Sequence, residues 1–330
     1  MSNLRRAATM VSRSLMATAL LTATWAAVPA TASAGQVPES TDPIVLTIND
    51  WTGQEINTRI MGHVLQSMGY NVKYVSADYL AQFSGLESGD LTVAMEMWET
   101  TGKQALAKAL KTGNVVDMGP TGMESREEWW FPDYVKEQCP GLPDWKALNK
   151  CHELFATPET SPLGRYLGGP VTWGGHDDAR IKALGLKFKD IHAGTDAALH
   201  AEVVSMIQRH QPFVAWVYKP DWLHHAYKDQ GSYVEFPEYT DDCYDDPSWG
   251  VNKTMKYDCG KPHGWIKKVA WIGMKDKWPR AYQAVKAFRI SNDDIGEMDY
   301  AVAKEGATVK EVVDKWMKNN EDTWKKWTQP

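Results

Sequence analysis

Sixteen Trp and 13 Tyr stand against only 7 Phe in this chain. A fold that only needed bulk could use Phe and Leu. Indole adds a broad π-face and a polar N–H, which suit a site for rings, sugars or cations. Two of these tryptophans follow short apolar runs: Trp51 after Ile44-Val45-Leu46-Thr47-Ile48, and Trp98 after residues 91–95. Others lie in segments rich in Gly and Pro. Trp129-Trp130 precede Phe131-Pro132, Trp173 precedes Gly174-Gly175, and Trp222 closes Tyr218-Lys219-Pro220-Asp221-Trp222. Glu127-Glu128 adjoin the Trp129-Trp130 pair. Aromatic faces beside a carboxylate are the chemistry that holds a weakly hydrated organic cation. A second chemistry uses the same residue types. Carboxylates at Glu96/Glu99 or Glu127/Glu128 could act as the acid/base pair of a secreted carbohydrate-active enzyme whose tryptophans stack sugars.

Other chemistries lack their signatures. The sequence has no G-x-G-x-x-G, no G-x-x-x-x-G-K-[ST], no G-x-S-x-G and no H-E-x-x-H. Dinucleotide, P-loop, serine-hydrolase and zincin readings therefore have no support. His224-His225 are adjacent, and neighbours on a helix point apart. Asp241-Asp242 and Asp245-Asp246 flank Cys243, and oxygen ligands on such a loop could hold a structural Ca²⁺ through Asp242 and Asp245. Cys139, Cys151, Cys243 and Cys259 make an even count without C-x-x-C spacing, which reads as two disulfides rather than zinc. Three pairings are open, and the local one, 139–151 with 243–259, would close two short loops.

The elements that must position these groups form an α/β pattern. At roughly 100–200 residues per domain, 330 residues suggest about two domains. Residues 1–34 carry Arg5, Arg6 and Arg13, then an apolar stretch, then Ala32-Ser33-Ala34. That is the pattern of an export signal, with cleavage expected after Ala34. Its three arginines and no acid account for a change from −6 to −9 in formal charge when it is removed. A chain this acidic is a poor partner for nucleic acid. Strands are expected at 44–48, 72–75 and 91–95, with helices at 54–68 and 79–88 between them. In such sheets ligands gather beyond the carboxyl ends of the strands, where Trp51 and Trp98 lie. Residues 118–175 read as largely irregular. Helices are expected at 178–184, 197–209, 281–289, 293–304 and 309–327, and strands at 212–217 and 269–273.

Certain segments carry a family resemblance. They are Asn49-Asp50-Trp51-Thr52-Gly53, residues 65–72 (LQSMGYNV), residues 89–98 (GDLTVAMEMW), Trp129-Trp130-Phe131-Pro132 and Tyr218-Lys219-Pro220-Asp221-Trp222. In this order, behind an export signal, they resemble the substrate-binding proteins of ABC importers for glycine betaine, choline and related compounds. Within that family the extra Trp, the acidic pair and the second Cys loop are most similar to the branch that binds trimethylamine N-oxide.

The resemblance implies an α/β, two-lobed periplasmic binding protein of type II, with a hinge and a ligand cleft between lobes. One lobe would hold residues 35–122 and 265–330 and the other 123–264, with crossings near Gly122 and Gly264. It implies an aromatic box for a methylated onium group: Trp51, Trp98, Trp173, Tyr218 or Trp222, and Trp129 or Trp130, with Trp130 favoured. Glu127 is the expected charge partner, with Glu96 and Glu128 as alternatives. The implied partners are a small methylated amine and an ABC permease in the inner membrane. The protein is expected to be a periplasmic monomer, to need no cofactor and to catalyse no reaction.

Overall fold

The computed structural model describes residues 37–329; the expected export signal lies outside them. Among the described residues there are nine strands: β1 (Ile44–Ile48), β2 (Val72–Ser76), β3 (Val93–Trp98), β4 (Val115–Pro132), β5 (Gly164–Gly168), β6 (Phe188–His192), β7 (Val214–Lys219), β8 (Gly231–Tyr233) and β9 (Gly264–Trp271). Their order is β2-β1-β3-β9-β4-β7-β5-β6, with β8 paired to β4. The first three strands run parallel, as do β7, β5 and β6. Strands β4 and β9 are antiparallel to their neighbours. The arrangement is an α/β fold of the two-lobed, type II periplasmic binding protein class.

Local sequence explains the first unit. Ile44 and Leu46 are buried on β1, and the chain turns at Asn49, whose N–H donates to Gln54 Oε1 at 2.9 Å. The helix Thr52–Ser67 then buries Ile56, Ile60 and Val64, one face at four-residue spacing. Gly69 stops it at φ +91°, a left-handed conformation that favours glycine. The strand that follows, β2, lies parallel to β1, pairing Ile44 with Val72.

Strand β4 is the largest departure from the sequence reading, which treated residues 118–175 as irregular. It is 18 residues long and joins the two parallel sets of strands. Up to Ser125 it pairs with β9, and from Arg126 it pairs with β7. Pro120 and the positive-φ residues Gly119 and Gly122 fall at its register shifts, so the alternation that marks a strand is broken in the sequence. Two smaller boundaries also move. Strand β3 continues through Trp98 rather than stopping before it. The expected helix 309–327 ends at Asn319, with the short helix Glu321–Trp324 after it.

The cysteines adopt the local pairing. Cys139 bonds Cys151 and Cys243 bonds Cys259, with Cα separations of 5.8 and 6.4 Å. Among the described residues no helix is long and apolar enough to cross a membrane.

Candidate functional site

Four aromatic rings from four separate segments meet in one cavity. Trp51 comes from the turn after β1, Trp98 from the end of β3, Trp173 from a short turn after β5, and Tyr218 from β7. Their ring centroids form a closed circuit. Trp51 to Trp98 is 6.4 Å, Trp98 to Tyr218 5.7 Å, Tyr218 to Trp173 5.6 Å and Trp173 to Trp51 5.7 Å. The corresponding interplanar angles are 79°, 84°, 89° and 73°. Near-perpendicular neighbours make four walls, and edge-to-face contact is a favoured aromatic geometry. Tyr79, Thr101 and Glu127 complete the lining. The space between them is no more than about 250 Å³. That lies below the usual range for drug-sized ligands and suits a small head group.

Each wall is fixed from behind by hydrogen bonds. Glu96 is buried beneath two of them, and its Oε2 accepts from Trp51 Nε1 at 3.1 Å and from Trp98 Nε1 at 2.9 Å. Its other oxygen accepts from Asn57 Nδ2. Burial pushes the Glu96 carboxyl upward, and the three N–H donors oppose that push. Glu96 and Trp98 are two residues apart on β3, so their side chains share a face. Trp173 Nε1 donates to Asp50 at 2.9 Å, and the Tyr218 hydroxyl donates to Asp196 at 2.7 Å. His200 stands between Asp196 and Asp221, at 3.3 and 3.2 Å. Trp98 N–H donates to the Tyr79 hydroxyl at 2.9 Å, which ties β3 to the segment before helix Gln82–Ser88.

Of the three candidate carboxylates, only Glu127 faces the cavity. Glu128 is engaged elsewhere: Arg180 Nη1 donates to it at 2.7 Å and the Lys261 N–H at 2.9 Å. Asp177 completes that cluster, accepting from Lys261 Nζ at 2.7 Å and from Trp129 Nε1 at 2.7 Å. Two buried cations thus match two buried anions there. Glu127 accepts a longer bond from the Thr101 hydroxyl, at 3.3 Å. Burial pushes its carboxyl up to about 7, against the pull of Lys261 and the threonine hydroxyls. The box therefore contains one carboxyl group that can be neutral or ionised near neutral pH.

The structure separates the expected site residues. Trp51, Trp98, Trp173, Tyr218 and Glu127 come together. Trp130, the favoured member of its pair, is not among the lining residues. It lies three residues from Glu127 on the same strand, and an odd separation puts the two on opposite faces. Its ring packs instead near Phe213, at 5.9 Å, and over Gly231, where a Cβ would land on the indole. Trp129 is no substitute, being stacked on Tyr166 at 3.9 Å. Trp222 also lies outside the box: its Nε1 donates to His200 at 3.1 Å, and Lys304 Nζ sits over its ring at 4.3 Å. Of the pair Tyr218 or Trp222, the cavity takes Tyr218. Asp242 and Asp245 are exposed at the two ends of a short helix. Among the described residues no third ligand joins them, so the expected Ca²⁺ site is not assembled there. Tyr79, Thr101 and the role of Glu96 as a clamp went unread, although the Glu96/Trp98 spacing on an apolar run was a usable signal for the last.

Residues 42–319 match the family described as the substrate binding domain of ABC-type glycine betaine transport systems. The trimethylamine N-oxide-binding protein of Pelagibacter ubique (strain HTCC1062) is 32% identical over 304 residues, 88% of this chain and 92% of that protein. A lactococcal relative, OpuAC, crystallised closed with glycine betaine, superposes with a TM-score of 0.66 at 17% identity, covering 87% of this chain and 100% of that one. An ABC-transporter choline-binding protein in complex with choline gives 0.68 at 15% identity, covering 88% and 92%. This chain belongs to the family of substrate-binding domains of ABC-type glycine betaine transport systems.

Proposed function

We propose that the protein captures a small methylated onium compound in the four-walled box, with trimethylamine N-oxide favoured over glycine betaine and choline. The observation that carries this is the single carboxyl of Glu127 on the wall of an otherwise aromatic cavity. A trimethylated nitrogen donates no hydrogen bond and presents an apolar, positively polarised shell. Each aromatic face contributes roughly 0.5–2 kcal/mol to such a group. Four faces and one polar contact reach the ~8 kcal/mol of micromolar affinity. Glycine betaine carries its own carboxylate, which an ionised Glu127 would repel. The N-oxide oxygen is instead a hydrogen-bond acceptor, and a protonated Glu127 is a donor. The Pelagibacter relative, named for trimethylamine N-oxide, supports the same order.

Capture works by closure. The chain crosses between lobes near Gly122, within β4, and near Gly264, where β9 begins. Trp51 and Trp98 then belong to one lobe, and Trp173, Tyr218 and Glu127 to the other. A ligand touching both sets favours the closed population, which a permease in the inner membrane would recognise. The setting is the periplasm, after removal of residues 1–34, with a monomer acting without cofactor. A glycosidase would need two carboxyl groups facing the cleft. Glu127 is the one acid among the lining residues, and both Glu96 oxygens already hold N–H donors.

Intrinsic Trp fluorescence of the mature protein, titrated separately with trimethylamine N-oxide, glycine betaine, choline and glucose, tests the reading. A saturable change with trimethylamine N-oxide at the lowest concentration is expected. A response to glucose alone would overturn it. The clamp adds a second expectation. Glu96→Leu keeps the bulk but removes the oxygen that accepts from both indole N–H groups, leaving both buried donors unpaired. Affinity for trimethylamine N-oxide should fall about tenfold, ~1.4 kcal/mol, although Glu96 is not itself a lining residue. Calorimetric titration of the folded variant checks this.

A further inference from the structure

Strand β6 ends in two chemistry-bearing residues, Asp190 and His192, two positions apart and therefore on one face. Asp178, in the first turn of helix Asp177–Leu184, joins them. One ligand atom from each, two carboxylate oxygens and an imidazole nitrogen, lie within 4.8 Å of one another. The Asp190 side chain is 1% exposed, yet among the described residues neither of its oxygens has a hydrogen-bond partner. A buried carboxylate without donors is costly unless a cation satisfies it. The nearest positive candidate is His192, whose Nε2 is 3.5 Å from Asp190 Oδ2, too long for a good hydrogen bond.

The orientation of His192 is set from its other side. Its Nδ1 is 2.8 Å from the Gly169 carbonyl, which can only accept, so Nδ1 carries the proton. Nε2 is the nitrogen nearer Asp190 and the one free to coordinate. Backbone-anchored imidazole of this kind is the usual outer support of a metal-bound histidine. The neighbouring strand leaves room: a side chain at Gly168 would collide with Asp190 and crowd the His192 ring.

We propose that Asp178, Asp190 and His192 bind one divalent ion of the first transition row, represented by Zn²⁺, through two carboxylate oxygens and imidazole Nε2, with water completing the shell. An imidazole among the ligands selects such ions over Ca²⁺ and Mg²⁺, which prefer all-oxygen sites. Three protein ligands leave an open position. The ion would brace the segment that carries a box wall, because His192 holds Gly169 and the space beside Gly169 is filled by the Trp173 ring. This site is separate from the Asp242/Asp245 loop.

The test uses the mature protein freed of metal by a chelator and titrated calorimetrically with ZnCl₂, then with CaCl₂. One equivalent of Zn²⁺ is expected, bound at least a hundredfold more tightly than Ca²⁺. Asp190→Asn and His192→Gln should each weaken Zn²⁺ binding at least tenfold. Co²⁺ should replace Zn²⁺ and give visible d–d absorption that His192→Gln abolishes. Absence of stoichiometric uptake, or uptake unchanged in His192→Gln, overturns the proposal. His192 is one-third exposed, so that variant decides the matter even if Asp190→Asn fails to fold.

Discussion

Trp98→Ala is expected to reduce affinity for trimethylamine N-oxide about a hundredfold, a loss of ~2.7 kcal/mol. Trp98 is one of the four walls, so its direct contact with a methylated head is worth roughly 0.5–2 kcal/mol. It also meets Trp51 at 6.4 Å and Tyr218 at 5.7 Å, both edge-on. Such pairs contribute about 0.5–1.5 kcal/mol each beyond their buried area. Removing the ring frees both neighbours, and it leaves Glu96 with one indole donor in place of two. Trp98→Phe separates these effects. It keeps a face toward the ligand and loses only the N–H to Glu96, so a smaller loss, about tenfold, is expected. Calorimetry gives the affinities, and far-UV circular dichroism confirms that each variant is folded. Wild-type affinity in Trp98→Ala would sink the aromatic-box reading.

The same residues show what a sequence makes legible. Trp51 and Trp98 could be found because they follow apolar runs, and ligands collect at the carboxyl ends of strands. Trp173 and Tyr218 lack that local signal; the family motifs placed them. Trp130 falls outside the lining because β4, a strand the sequence hides, turns it to the other face. Gly119, Pro120 and Gly122 interrupt the pattern of β4, and without a strand there was no parity to apply. With the strand in view, Glu127 excludes Trp130 by alternation alone. Tyr79 and Thr101 were out of reach for another reason. They come from segments 22 residues apart, and only the folded cavity brings them together. Trp222 had the right type in the right motif, but a helix start turns it toward His200. Residue type and order thus pointed to residues that share one cavity, while which way each side chain faces depends on backbone geometry the sequence encodes weakly.

Glu127 should give trimethylamine N-oxide and choline opposite pH dependences. Burial raises its carboxyl to about 7 in the empty site, so ionisation changes across neutrality. Choline is a permanent cation and favours the ionised carboxylate. Its binding therefore releases protons, and its affinity should rise about tenfold from about pH 6 to about pH 8. Trimethylamine N-oxide presents an oxygen acceptor and favours the protonated carboxyl, so its affinity should fall by a similar factor over the same interval. Glu127→Gln keeps a donor and cannot ionise. It should flatten both profiles, retain trimethylamine N-oxide binding at about pH 8 and weaken choline binding there. Stability supplies an independent reading. A carboxyl raised in the folded state binds more protons folded than unfolded between 4.5 and about 7. Folding stability from this group is thus present below 4.5 and lost as pH rises through 7, a cost of roughly 3 kcal/mol at alkaline pH. Glu127→Gln removes that cost, so the ligand-free variant should melt at a higher temperature than the parent at about pH 8. Parallel pH profiles for the two ligands in the parent protein would show that Glu127 does not exchange its proton with the contents of the box.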